Sequence, residues 1–193
     1  GFAKEGMLKF IDNDHNNIIN DNDKESLGNA FPKWNLGLNN TFSYRNISLN
    51  VFVYAVLWQK ILNQNLLYSS YGTPIGVPSK DYIDNHWTPE NKSAYYPQAS
   101  QFSGNSQTTD RLIEDGSFVR FKNITLRYDV QHLPKWLTKL QLYVTANNLI
   151  TITKYRGYDP EVSAYGQNIL LPGIDLGSYP RTKMYTFGVN VDF

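Results

Sequence analysis

The residues best equipped for chemistry lie in one run, Asp12-Asn13-Asp14-His15-Asn16-Asn17-Ile18-Ile19-Asn20-Asp21-Asn22-Asp23. Side-chain oxygens at loop positions one, three and five (Asp12, Asp14, Asn16), the backbone carbonyl of Ile18 at seven and the carboxylate of Asp23 at twelve match a Ca2+ loop's hard donors. Ile19 supplies the apolar residue at eight. Position six, which ordinarily needs Gly for a left-handed turn, holds Asn17, and Asn tolerates that conformation better than most residues. Asp23 in place of Glu shortens the reach for bidentate contact. The expectation is a structural Ca2+ that stiffens a loop; the alternative is a polar segment making Asx turns without metal.

Other reactive constellations are missing. His15, His86 and His132 are scattered, the chain has no Cys, and no Ser occupies a nucleophile-elbow pattern. Gly-rich phosphate loops are also absent. Glu90 and Glu161 would make a glycosidase pair only if the fold brought them within about 5–10 Å. No enzymatic activity is expected. Lys and Arg total 18 against 17 acidic residues, which gives no electrostatic ground for a nucleic-acid partner. Trp87, Tyr95, Tyr96, Tyr158, Tyr165 and Tyr179 sit in irregular segments. They suit stacking on sugar rings or packing against a protein cap, or they simply fill their own loops.

The elements that must carry these residues are strands. The chain holds 14 Tyr, 10 Phe and 4 Trp but only 2 Met, and mean hydropathy is −0.45; aromatic richness with low hydropathy suits half-apolar strands better than a helical core. Over residues 32–45, Trp34, Leu36, Leu38, Phe42 and Tyr44 alternate with polar residues, and only Asn40 breaks the pattern. After a tight turn at Arg45-Asn46, Ile47, Leu49, Val51, Val53, Ala55 and Leu57 share one face. Alternation returns over 117–128, with a phase slip across Lys122-Asn123 of the kind a β-bulge makes. It appears again from Leu140 to Asn147, and lastly in Tyr185, Phe187, Val189, Val191 and Phe193. Links between these five strands alternate short and long, as in membrane barrels with short periplasmic turns and long external loops. On that reading residues 1–31, 61–110 and 155–182 share the extracellular face.

No run of about 18 apolar residues occurs, so a helical membrane span is excluded, whereas barrel strands need only about 9–11 alternating residues. Residues 1–5 lack the apolar core of a signal peptide, so an exported chain is expected to carry its signal upstream. A secreted, Ca2+-dependent, carbohydrate-binding β-sandwich is the competing architecture; it explains the Asp-rich loop but not the alternating link lengths.

Four ordered segments resemble the C-terminal pattern of the SusC/RagA family of TonB-linked outer-membrane transporters. They are residues 12–28; Trp87-Thr88-Pro89-Glu90-Asn91 with Tyr96-Pro97; residues 115–128 (Asp115-Gly116-Ser117-Phe118-Val119-Arg120-Phe121 onward); and Asn147-Asn148-Leu149 with Tyr155-Arg156-Gly157-Tyr158-Asp159-Pro160-Glu161, followed by Tyr179-Pro180-Arg181. The resemblance implies an all-β fold in which residues 32–193 give the C-terminal antiparallel strands, about five, of a large transmembrane β-barrel. Residues 1–31 would be an extracellular loop carrying the metal motif. It further implies import of glycan or peptide oligomers, a SusD-like surface lipoprotein as cap, and energy from TonB through a plug and N-terminal part outside this sequence. Tyr185, Phe187, Val189, Val191 and Phe193 would then be the assembly signal read by barrel-assembly machinery through strand addition. Leu49, Val51, Val53 and Leu57, with Phe187, Val189 and Val191, are expected to face outer-membrane lipid.

Overall fold

The computed structural model describes residues 4–70, 77–99, 108–162 and 172–193; Tyr165 lies outside them. Two compact units emerge. One gathers Gly1–Gly28, Ile61–Glu114 and Ser163–Ser178, and the other Asn29–Lys60, Asp115–Val162 and Tyr179–Phe193.

The second unit is built on five strands: β1 (Trp34–Tyr44), β2 (Ile47–Leu57), β5 (Phe118–Asp129), β6 (Lys139–Thr153) and β8 (Met184–Asp192). They form one antiparallel sheet in the order β1-β2-β5-β6-β8. Arg45, at φ 53°, enters the left-handed region to close the β1–β2 hairpin. Register then decides which residues share a face. Leu38 opposes Val53, Val53 opposes Phe121, Phe121 opposes Ile150, and further along Leu126 opposes Val144, which opposes Phe187. Extending the same bookkeeping gives every strand a run of apolar residues on this one face, interrupted only by Asn40. Eleven residues in β1, at about 3.3 Å each and tilted about 45°, rise about 25 Å, the height of a membrane barrel's apolar band.

That apolar face is not packed against anything in the described residues. Leu36, Leu38, Phe42, Ile150, Ile152, Val189 and Val191 are open, and Phe187 is 79 % exposed. At one end of the face stand Tyr44, Tyr128 and the Trp136–Phe193 stack, with ring centroids 6.0 Å apart; at the other stands Trp34. Aromatics at both rims of an aliphatic band are a membrane-barrel pattern. The β-sandwich alternative required this face to be the dry core, and it is not.

The opposite face is polar and internally bonded. Asn50 donates to Asn39 and Thr41, both at 2.9 Å. Asn123 donates to Asn147 at 2.9 Å, and the Thr125 and Thr145 hydroxyls meet at 2.9 Å. Its buried members are Val56, Phe118, Arg120 and Thr125. Lys122 is the bulge that the phase slip predicts: Phe121 and Asn123 pair with adjacent residues Val53 and Phe52 of β2. On the other side Asn147 and Ile150 take the corresponding positions, so Asn148 and Leu149 face the single extra residue Lys122. Asn148 absorbs the kink at φ 52° and donates to the Thr182 carbonyl at 3.1 Å. Strand β6 therefore continues to Thr153, six residues beyond the expected end at Asn147.

The first unit is not a structureless loop. It contains β3 (Lys60–Asn63), α1 (Asn65–Ser70), α2 (Lys80–Asn85), β4 (Ile113–Asp115) and β7 (Ile174–Asp175), with a small sheet in the order β4-β3-β7. Ser79 caps α2 by accepting from the Tyr82 N–H at 3.1 Å. Ile61, Tyr82, Tyr96 and Leu112 are its buried apolar residues. Elements of two to six residues leave too short a periodic trace to be read from sequence.

Candidate functional sites

Strand β5 places Arg120 on the polar face, three residues from the end at which the long β2–β5 connection arrives. The side chain is only 1 % exposed. Its Nη2 donates to Asp159 Oδ1 at 2.6 Å, its Nη1 to Glu161 Oε2 at 2.8 Å and its Nε to Thr151 Oγ1 at 2.9 Å. The guanidinium also lies over the Phe118 ring at 5.2 Å. Asp159 is a hub in turn: Oδ1 accepts from the Glu161 N–H at 2.8 Å and Oδ2 from the Arg181 N–H at 2.9 Å. Glu161 Oε1 is shared more loosely by Lys122 Nζ at 3.6 Å and Arg181 Nη2 at 3.7 Å. One buried cation thus pins the chain after β6 and the chain before β8 to the sheet. Burying a charge is tolerable only when it is paired and hydrogen-bonded, and here each of the three guanidinium nitrogens has an acceptor, two of them carboxylates.

This cluster was not anticipated. Tyr158-Asp159-Pro160-Glu161 reads as a rigid turn, which it is, yet sequence gives no sign that Arg120 is its partner. The available signal was an Arg inside an alternating strand, where a lone charge demands a counter-charge.

In the metal-motif loop the fold brings together three of the five expected ligands. Oxygens of Asp12, Asp14 and Asp23 all lie within 4.8 Å of one another. Asp12 accepts from the Asn16 N–H at 3.2 Å and the Asn17 N–H at 2.7 Å, and Asn17 takes φ 67°, the left-handed turn that position six requires. Asp23 closes the loop by accepting from the Asn13 N–H at 2.9 Å and the Asn20 N–H at 2.7 Å. Asn16 Oδ1 accepts from the Ile18 N–H at 2.7 Å, and the Ile18 carbonyl accepts from Asn20 Nδ2 at 3.3 Å. Desolvation pushes the Asp12 carboxyl up. The Asn17 N–H, a side-chain hydrogen bond with Asp14 and the N–H groups of Asn16 and His15 outweigh it and hold the group below the ordinary 3.8.

The remaining candidates are dispersed. Tyr185, Phe187, Val189, Val191 and Phe193 line one side of β8, which pairs only with β6 among the described residues. Tyr96 is buried and donates to Asp81 at 2.5 Å, and the ring of Trp87 covers Gly6, so these two fill their own loop. Tyr95 is exposed, as are Tyr158 and Tyr179 at 77 % and 86 %. His86 stacks on Tyr82 with centroids 5.2 Å apart. Glu161 is committed to ion pairs, which removes the imagined carboxylate partner of Glu90.

No protein-family model matches the chain. TonB-dependent receptor P3 of Formosa agariphila is 34 % identical over 200 residues, covering 100 % of this chain and 20 % of the relative. TonB-dependent receptor SusC of Bacteroides thetaiotaomicron is 27 % identical over 190 residues, covering 95 % of this chain and 17 % of the relative. Among solved structures, the RagAB peptide transporter aligns with TM-score 0.69 and 25 % identity over 85 % of this chain and 17 % of that one. The RagAB peptide importer in its open-open state gives 0.71 and 26 %, again over 85 % and 17 %. The chain spans about a fifth of the length of the relatives it matches. All are named as receptors, a transporter or an importer, not as enzymes.

Proposed function

We propose that this chain, similar along its length to part of TonB-dependent receptors that include SusC, is the C-terminal part of a SusC/RagA-type TonB-linked outer-membrane transporter and supplies barrel wall and external loops to it. The observation that carries the reading is the single exposed apolar face running across all five strands, backed by a bonded polar face. Apolar side chains meet outer-membrane lipid; the polar ladder and the Arg120 cluster line the lumen. The remaining strands and plug close the barrel, a SusD-like lipoprotein caps it, and TonB drives import of glycan or peptide oligomers. Barrel-assembly machinery engages β8 through its outward aromatic edge, with Tyr185, Phe187, Val189, Val191 and Phe193 as the signal. Val53→Arg in the full-length receptor tests the orientation. It should destabilise the barrel in liposomes by about 2–4 kcal/mol if the residue sits near the bilayer midplane; unchanged unfolding would refute it.

A structural Ca2+ in the Asp12–Asp23 loop is part of the proposal. Three converging carboxylates form a hard donor set suited to that ion. Asp12, Asp14 and Asp23 would hold it, with Asn16 and the Ile18 carbonyl completing the shell. Bound there, the ion would offset the mutual repulsion of these groups and stiffen the loop.

A further inference from the structure

We infer that Lys122 and Arg181 form a lumen-facing subsite for an oxyanion, a carboxylate or sulfate group carried by the transported oligomer; this rests on the transporter reading above. The cluster holds three cations, Arg120, Lys122 and Arg181, against two carboxylates, Asp159 and Glu161. Arg120 takes one oxygen of each carboxylate at hydrogen-bond length and is buried. Glu161 Oε1 is left to serve both other cations, at 3.6 and 3.7 Å, beyond hydrogen-bond length. Among the described residues of this cluster one positive charge is therefore in excess, and it resides on side chains that are 40 % and 59 % exposed.

Both cationic heads lie within 3.7 Å of one atom, so a single incoming oxyanion can be met by both. Lys122 faces this side because the bulge turns it there; its Nζ lies 4.9 Å from the Tyr54 ring centre. Arg181 follows the exposed Tyr179 by two residues, and Asp159 follows the exposed Tyr158 by one. An ammonium, a guanidinium with a planar fork of donors and open aromatic faces suit an anionic group on a stackable chain. Fixed charges on a pore wall also select what enters.

The test uses the full-length receptor in detergent at constant ionic strength, with chloride replaced stepwise by sulfate or by acetate. Hydrogen exchange is read on peptides covering 118–123 and 179–183. The expected result is saturable slowing by at least one of the two anions: sulfate alone identifies a sulfate ester, acetate alone a carboxylate, and both a general oxyanion site. Arg181→Gln and Lys122→Gln should each raise the midpoint about tenfold, while Arg181→Lys stays nearer wild type. Absence of saturable slowing with both anions overturns the inference. So does a midpoint that neither Gln variant moves. Wild-type titration decides the matter even if a variant fails to assemble. Outer-membrane fractionation and heat-modifiable gel migration score the transporter reading separately.

Discussion

Arg120→Met removes the cation on which two loop segments converge, and the structure sets the size of the effect. Removing one partner of a buried ion pair costs about 3–5 kcal/mol, because the partner left behind stays desolvated. Here the stranded groups keep some help. Asp159 retains the N–H groups of Glu161 and Arg181 at 2.8 and 2.9 Å, and Glu161 is partly exposed with Lys122 and Arg181 close by. The lower end, about 3 kcal/mol, is therefore expected. The loss falls on the attachment of residues 154–162 and 179–182 to the sheet rather than on the strand ladder. The Glu161 and Arg181 amides, both bonded to Asp159, should then exchange about two powers of ten faster in the full-length receptor, while β1 amides stay unchanged. Asp159→Asn on top of Arg120→Met should add much less than it does alone, since the two share one interaction. Acceleration below about fivefold at both amides, or equal acceleration in β1, would refute the assignment of Arg120 as the anchor.

In the Asp12–Asp23 loop, Ca2+ should slow exchange at the Asn16 and Asn17 amides, and Asp12→Asn with Asp14→Asn should abolish the response; a calcium-indifferent wild type would leave only the Asx-turn reading. The same loop should loosen in acid. Asp12 titrates below 3.8 when folded, as does Asp21 through its side-chain hydrogen bond and charge pairing with Lys24. Their contribution is complete above about pH 3.8 and fades as pH falls through the lower folded values, which amide exchange between pH 5 and 2, corrected for intrinsic rates, would detect. Gly188→Val should weaken the β6–β8 seam, because a side chain there meets the ring of Tyr143 lying across the glycine; cross-strand exchange at Tyr143 should rise, and Gly188→Val with Tyr143→Ala should recover part of the loss.

The strand sheet was legible because alternation has a simple physical origin. A sustained period of two over a whole strand leaves only one choice of face, so β1, β2, β5 and β8 begin and end within about two residues of expectation. The alternation that marks β6 in the sequence breaks after Asn147, because Asn148 takes the left-handed conformation inside a bulge, and the ladder resumes at Ile150. The turn within the Asp12–Asp23 loop was legible as spacing, with Asn17 left-handed at position six. What sequence did not show was long-range partnership. Arg120 and Asp159 lie 39 positions apart, and no local propensity links them. Only register, which puts Arg120 opposite Thr151 near the end of β6, brings the following turn into reach.

The bulge at Lys122 also constrains how these strands can change length. Side-chain direction reverses at every residue, so adding or removing one residue swaps inside for outside for everything beyond the edit. Lys122, set against Asn148 and Leu149, is where β5 absorbs such an odd count. Were Lys122 deleted, Phe121 and Asn123 would become neighbours with the facing they already have opposite Val53 and Phe52, so Val119 and Phe121 would stay on the apolar face and Arg120 on the polar one, and only the bulge would be lost. Loops can lengthen by any number of residues, whereas these walls accept only even edits unless a kink of this kind restores parity.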